Sequence, residues 1–322
     1  MQDHGGNLEV ALARFGGRAQ DWIDLSTGIN RSPYPVGEVP PHRFYALPSG
    51  ADLASLHEAA RQAYATKAPV AALGGAQAAI QLLPHLARRG RARVLAPTYN
   101  EYVPALRAAD WQVEEVSELD ALAGCDLAVI VNPNNPDGRR HDPKLLLALT
   151  SRVGRLVVDE SFVDAVPGLS LAQQAGRLGL LVLRSVGKFY GLAGLRLGFV
   201  LGCEADVAAL NAMAGPWPIS GAAIEIGQRA LLDRDWAQQT TARLAHEAVR
   251  LDDLALDAGW NLVGGTPLFR LYETADARIA QLKLARARIW SRMFSDRPAW
   301  LRLGLPGGEM EWRRLAAALS GF

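Results

Sequence analysis

Cysteine is scarce: Cys125 and Cys203 are the only two in 322 residues. That is too few for a disulfide-stapled fold, and two free thiols in a reducing compartment is the simpler reading. Neither sign of charge is in excess, with 34 Lys and Arg against 33 Asp and Glu. A chain that grips a phosphate backbone needs a cationic surplus, so no general nucleic-acid partner is expected. Long apolar runs are missing too. The strongest, at 178–183, falls far short of the roughly 20 residues that cross a bilayer, so no membrane partner is expected. The opening MQDHGGN is polar, with no basic stretch leading into an apolar one, so no export signal is expected and the location is read as cytoplasmic. There is no repeat, no low-complexity tract, no GxxxxGK[ST] loop and no GxGxxG fingerprint. His57-Glu58 and His246-Glu247 begin an HExxH pattern but meet Arg61 and Arg250 at its end, so no metal site is expected.

What is present is an ordinary globular composition, 49% hydrophobic and 21% charged, long enough for one large or two modest domains. Residues 1–47 read as loop, with glycine pairs at 5–6 and 16–17 and five prolines from Pro33 to Pro48. Leu53, Leu56, Ala60 and Tyr64 then recur at helical spacing, with Ser49 or Asp52 able to cap the start. From 70 to 202 short apolar runs alternate with helical stretches. Strands are expected at 70–73, 93–96, 127–131, 156–158, 180–184 and 198–201, and helices at 76–87, 102–109 and 143–151. This alternation predicts an α/β fold with a mostly parallel sheet covered by helices on both faces. Beyond 203 the chain turns helix-rich, with a long helical region over 222–258 interrupted near 233–235, and strand candidates at 268–272 and 300–305. The expected division is an N-terminal arm at 1–45, a large domain at 46–205 and a smaller α+β domain at 206–322.

Ligands of an open parallel sheet bind beyond the carboxyl ends of its strands. There the sequence places Gly74-Gly75-Ala76-Gln77, Pro97-Thr98-Tyr99, Asn132-Pro133-Asn134-Asn135-Pro136-Asp137-Gly138, Asp159 and Ser185-Val186-Gly187-Lys188, with Arg196 eight residues after the lysine. Taken singly, each has a plain reading: a glycine turn, a core aromatic, a turn-rich loop, a helix cap, a lysine that snorkels to the surface. Each also has a chemical one. The glycines let backbone amides approach an anion, and a lysine beside a buried strand is a candidate nucleophile.

Order and joint spacing separate these readings. The set N-N-P-x-G, then D-E, then S-x-G-K with an arginine at plus eight resembles the pyridoxal-phosphate enzymes of aspartate aminotransferase fold (fold type I), over residues 22–305. The resemblance implies a pyridoxal 5'-phosphate cofactor. Lys188 would hold it as a Schiff base and move protons, and Asp159 would pair with the ring nitrogen. Asn135 would reach the ring hydroxyl oxygen, and Tyr99 would stack on the ring. Gly75, Ala76, Gln77, Ser185 and Arg196 would hold the phosphate. Tyr45 looks like the tyrosine that this family lends to a neighbouring subunit, which implies a homodimer with shared sites.

Within the superfamily the chain is similar to the histidinol-phosphate aminotransferase branch, and two features point to the L-threonine-O-3-phosphate decarboxylases of cobalamin synthesis. One is His4-Gly5-Gly6-Asn7, followed by Asp24-x-Ser26-x-Gly28-x-Asn30. The other is Phe162, where many aminotransferases of the fold carry a tyrosine. By the same resemblance Arg302 grips a substrate anion, Arg292 matches a second gripping arginine, and His4, Gly5, Asn7 and Gly28 close over the substrate. The expected reaction is decarboxylation of L-threonine O-3-phosphate to (R)-1-amino-2-propanol O-2-phosphate and CO2. A histidinol-phosphate-type aminotransferase and a catalytically silent binding protein of the same fold are the alternatives. Arg31, Ser161 and Leu303-Gly304-Leu305-Pro306 depart from the family pattern.

Overall fold

The computed structural model describes residues 5–321. The chain divides into two compact units. The larger holds Tyr34–Asn135 and Arg140–Gln238, and the smaller holds the segment ending at Pro33, Pro136–Arg139 and the segment from Gln239 onward.

The larger unit is built on a seven-stranded sheet. Its strands are β1 (Val70–Leu73), β2 (Arg91–Leu95), β3 (Gln112–Val116), β4 (Leu127–Val131), β5 (Leu156–Asp159), β6 (Leu180–Ser185) and β7 (Gly198–Leu201). They lie in the order β1-β7-β6-β5-β4-β2-β3. All neighbours are parallel except those of β7, which runs against both β1 and β6. Strands β1, β4, β5, β6 and β7 are buried along their whole length. That is why they read as apolar runs, interrupted only at Asp159, Arg184 and Ser185, and not as alternating ones.

The helices start where the sequence offers caps. Ser49 opens Gly50–Ala63 with a capping box: its hydroxyl accepts the Asp52 N–H at 3.2 Å, and Asp52 Oδ2 accepts the Ser49 N–H at 2.9 Å. Asp142 caps Pro143–Leu149 through the Lys144 N–H, with Pro143 in the first turn, where its missing donor costs nothing. The helix expected over 76–87 ends as an α-helix at Leu82, and Pro84 sits in a tighter turn at Leu83–His85.

The observed division differs from the expected boundaries at 45/46 and 205/206. Helix Gly221–Leu232 buries Ile224, Ile226, Ala230 and Leu231 and packs on Gly50–Ala63, so residues 206–238 stay with the large sheet. Residues 34–45 stay with it as well: the Tyr34 ring meets Trp236 edge-on, and Arg43 bridges Asp52 and Glu225. The interruption expected near 233–235 falls at Asp233, between Gly221–Leu232 and Arg234–Asp257.

In the smaller unit an antiparallel sheet holds β8 (Asn261–Thr266), β9 (Phe269–Glu273), β10 (Arg292–Phe294) and β11 (Arg297–Gly304), in the order β10-β11-β9-β8. The early segment joins this unit because Ile23–Asp24 pairs in parallel with Ile289–Trp290. It is not all loop. Helix Leu8–Phe15 packs with Trp22, Ala285 and Trp290; the Phe15 ring is tilted against both tryptophans, which meet each other edge-on.

Candidate functional site

One pocket in the larger unit is lined by Ala76, Gln77, Tyr99, Asn135, Asp159, Ser185, Lys188 and Arg196, together with Ile80, Val131, Ser161 and Phe162. The topology explains the convergence. Strands β1, β2, β4, β5 and β6 end in Leu73, Leu95, Val131, Asp159 and Ser185, and the segments that follow those ends supply the rest of the lining.

Asp159 is 3% exposed. Its Oδ1 accepts the Ser161 N–H at 2.9 Å and its Oδ2 accepts the Tyr102 hydroxyl at 2.8 Å. Burial, then the Asp159 charge, push the Tyr102 phenol well above its usual range. Tyr102 therefore stays a donor, and Asp159 keeps a fixed direction. Sequence reading missed Tyr102; it looks like any core aromatic, and its contact with Asp159 spans 57 positions.

The Lys188 ammonium lies 5.8 Å from the centroid of the Phe162 ring, and Phe162 is buried. Tyr99 Oη donates to Gln77 Oε1 at 3.3 Å, and Gln77 Nε2 donates to Glu101 Oε2 at 3.0 Å. Two neighbours of Asn135 are braced: Asn132 exchanges hydrogen bonds with the His141 backbone, and Asn134 bonds Pro97 O and Thr98 Oγ1. The Ala96-Pro97 and Asn132-Pro133 peptides are cis.

Gly75 stands at φ +85°, and a Cβ there would lie 2.8 Å from Arg196 Nη2. Only glycine accepts this backbone and lets the guanidinium come so close. Arg196 is itself left-handed at φ 55° and donates to Ala193 O and Gly74 O. The Ser185 hydroxyl accepts the Gly187 N–H at 3.3 Å.

Tyr45 is 80% exposed and does not line this pocket; Phe44 and Leu47 beside it are 70% and 68% exposed.

The remaining candidates lie in the smaller unit, except His4, which is outside the described residues. Arg292 and Arg302 are direct register partners across β10 and β11. Arg302 is buried, donates to Ser26 O at 2.7 Å and covers the Phe269 ring, while Arg292 covers Phe294. Burial first, and then the Arg292 charge, push Arg302 down to about 9, with Asp24 opposing. A buried guanidinium with a like charge beside it favours an incoming anion. Gly5 lies against Ser26, where a Cβ would stand 2.3 Å from Ser26 O, and the Gly6 N–H donates to Ser26 Oγ at 2.7 Å. Asn7 is the exposed residue before helix Leu8–Phe15 and makes no side-chain cap; Gly28 is buried. The departure at Arg31 is structural: its guanidinium pairs with Glu311 and reaches Asp24 O.

This geometry has relatives. Residues 49–319 match the family model described as Aminotransferase class I and II. The chain is 44% identical over 331 residues to the threonine-phosphate decarboxylase of Pseudomonas aeruginosa, covering 100% of this chain and 98% of that one. Its fold is similar to that of histidinol-phosphate aminotransferase from Sinorhizobium meliloti in complex with pyridoxal-5'-phosphate, with TM-score 0.81, 19% identity and coverage of 97% and 93%. It is also similar to L-threonine-O-3-phosphate decarboxylase from Porphyromonas gingivalis, with TM-score 0.76, 20% identity and coverage of 92% and 98%. The motifs at 134–138, 159–160 and 185–196 thus point to the family that the comparison returns: the chain belongs to the class I and II aminotransferases.

Proposed function

We propose that this protein is a pyridoxal-phosphate-dependent decarboxylase that converts L-threonine O-3-phosphate to (R)-1-amino-2-propanol O-2-phosphate and CO2 in cobalamin biosynthesis. The near-full-length likeness to a threonine-phosphate decarboxylase supports it. The observation that carries it within the molecule is the Arg292–Arg302 pair. A substrate with a carboxylate at one end and a phosphate at the other offers two anions, and two adjacent guanidinium groups suit it.

The pocket of the larger unit fits the cofactor in its donor set. Ser185, Arg196 and the backbone from Gly75 to Gln77 suit its phosphate, buried Asp159 suits a protonated ring nitrogen, and Asn135 and Tyr99 suit the ring oxygen and face. When bound, pyridoxal phosphate supplies a sink for the electron pair left at Cα. Lys188 would hold the cofactor at its aldehyde carbon and would be the group that moves a proton at Cα. Asp159, held by Tyr102 and the Ser161 amide, would be the partner of the ring nitrogen. Arg292 and Arg302 would hold the anionic ends of the substrate, with Gly5, Asn7 and Gly28 of the same unit as further substrate residues. Phe162 presents no hydroxyl to the ring oxygen, where a tyrosine would.

A homodimer is part of the same reading. The exposed Phe44, Tyr45 and Leu47 suit a contact between copies, with Tyr45 lent to the neighbour's phosphate. So is a cytoplasmic setting, which suits the free thiols of Cys125 and Cys203.

Purified protein incubated with pyridoxal phosphate and L-threonine phosphate should release CO2 and aminopropanol phosphate. Lys188→Ala should abolish both the release and the visible absorbance of the bound cofactor. Amino-group transfer from histidinol phosphate to 2-oxoglutarate, with no CO2 released, would overturn the decarboxylase reading and leave the family intact.

A further inference from the structure

Strands β5 and β6 are adjacent and parallel, with Asp159 in register with Leu183. The Glu160 N–H extends the ladder to Leu183 O at 3.0 Å. Successive residues of a strand point to opposite faces. Asp159 and Ser185 line the cofactor pocket, so Glu160 and Arg184, one residue after and one residue before them, are directed to the reverse side. There they meet. Arg184 Nη1 donates to Glu160 Oε2 at 3.1 Å, and Arg184 Nη2 donates to Asp164 Oδ1 at 2.5 Å. Glu160 also accepts the Ser170 hydroxyl at 2.6 Å and the Leu171 N–H at 2.5 Å. The Tyr64 ring lies 4.0 Å below the guanidinium carbon.

The side chains of Glu160, Arg184 and Asp164 are only 0%, 5% and 8% exposed. Two carboxylates and one guanidinium leave this buried group one charge short of neutral. Burial pushes the Glu160 carboxyl up, against the pull of Arg184. Such a cluster is a poor way to gain stability, because desolvation offsets most of the attraction and apolar side chains would join two strands as well. What ions and their directional bonds add is a single geometry. Each member here is tied along the backbone to a pocket residue. Glu160 follows Asp159, Arg184 precedes Ser185, and Asp164 lies two residues past Phe162, which faces the Lys188 ammonium.

We propose that Glu160, Arg184 and Asp164 form a buried clamp on the reverse side of the sheet that positions Asp159, Ser185 and Phe162 for the cofactor. They touch neither cofactor nor substrate and act as positioning residues. The clamp rests on the cofactor reading of the pocket but not on which reaction follows.

The test uses full-length holoenzyme with Glu160→Gln, Arg184→Lys and Arg184→Met, and the Glu160→Gln/Arg184→Met double variant. Measured are the dissociation constant of pyridoxal phosphate, the absorption maximum of the bound cofactor, melting temperature, and kcat and KM for L-threonine phosphate. The clamp requires Glu160→Gln and Arg184→Met to weaken cofactor binding tenfold or more and to move the absorption maximum. It also requires kcat to fall tenfold or more with KM within twofold, Arg184→Lys to recover part of each effect, and the double variant to be little worse than the worse single one. A lowered melting temperature with cofactor affinity, spectrum and kcat all within twofold of the parent would overturn it. Should Arg184→Met fail to fold, the isosteric Glu160→Gln and the charge-retaining Arg184→Lys decide by the same readouts. If the parent binds pyridoxal phosphate but releases no CO2, the decarboxylase reading fails while affinity and spectrum still judge the clamp.

Discussion

Tyr102 donates its hydroxyl to Asp159 Oδ2 at 2.8 Å, across 57 positions of sequence and inside the protein. A buried carboxylate loses an aligned charge-assisted bond when that hydroxyl is removed, at a cost of about 1.5 to 3 kcal/mol. Tyr102→Phe keeps the ring and its packing. It is expected to weaken pyridoxal-phosphate binding by about 10- to 150-fold on that energy scale, with a smaller loss of thermal stability. Cofactor titration followed by absorbance checks this; unchanged affinity would show that Ser161 alone fixes Asp159.

The close approach of Gly75 and Arg196 gives a second expectation. A methyl at position 75 meets the guanidinium at 2.8 Å and a backbone at φ +85°. Gly75→Ala therefore costs about 1 kcal/mol or more in strain and displaces Arg196 from the phosphate end of the pocket. Inorganic phosphate should protect the parent apoprotein against heat, and protect Gly75→Ala clearly less. Equal protection in a phosphate series would place the phosphate elsewhere.

Much of this arrangement is legible in the sequence, for physical reasons. Leu127–Val131 sits between two covered faces, so every residue in it is apolar and the strand stands out. Asp159 and Lys188 stand out because polar groups at or just after such runs must answer to a ligand or a partner, and Arg196 stands out by its fixed spacing from Lys188. Strand β3 does not stand out. QVEEV is an edge strand, exposed or half-exposed at four of its five positions, and has no apolar period to read. Strand β8 is hidden for the same reason. Helix Leu8–Phe15 is masked by the glycines that flank it. Arg184 carried a signal that went unread: it is an arginine inside LLVLRS, a strand buried throughout, where a charge demands a buried partner.

The Arg292–Arg302 pair makes a prediction in which stability and function move in opposite directions. Arg302 is buried beside a like charge, and Ser26 O and the Asp24 charge offset part of that cost, to which an arriving anion adds. Arg302→Met removes the repulsion and the desolvation while filling the volume. The ligand-free protein should gain about 1 kcal/mol, roughly 2 to 4 °C in melting temperature. KM for L-threonine phosphate should rise about 30- to 150-fold, as for the loss of a charged hydrogen-bonding group worth 2 to 3 kcal/mol. Scanning calorimetry and steady-state kinetics on one preparation check both halves. A melting temperature that drops while KM is unchanged would make Arg302 a packing residue.

Acid should loosen the segment that carries Tyr45, through Asp52. Hydrogen bonds from Ser49 and Arg43 hold the Asp52 carboxyl far below the usual carboxylate range. The same Arg43 also reaches Glu225 at 3.1 Å, so helix His42–Tyr45 is tied to two other helices through one guanidinium. The folded-state pKa lies below the unfolded one, so the unfolded chain binds more protons in acid. The stabilisation by Asp52 is thus fully present above about pH 5 and is lost as the pH falls below about 4. Asp52→Asn should unfold at lower urea than the parent at pH 7, and the gap between the two midpoints should start to narrow below about pH 4 and be smaller, though still open, at about pH 3. The variant should also lose dimer at pH 7 if Tyr45 serves a neighbouring subunit, which sedimentation velocity measures directly. A gap that stays constant down to pH 3 would mean that the Asp52 carboxyl contributes nothing through its charge.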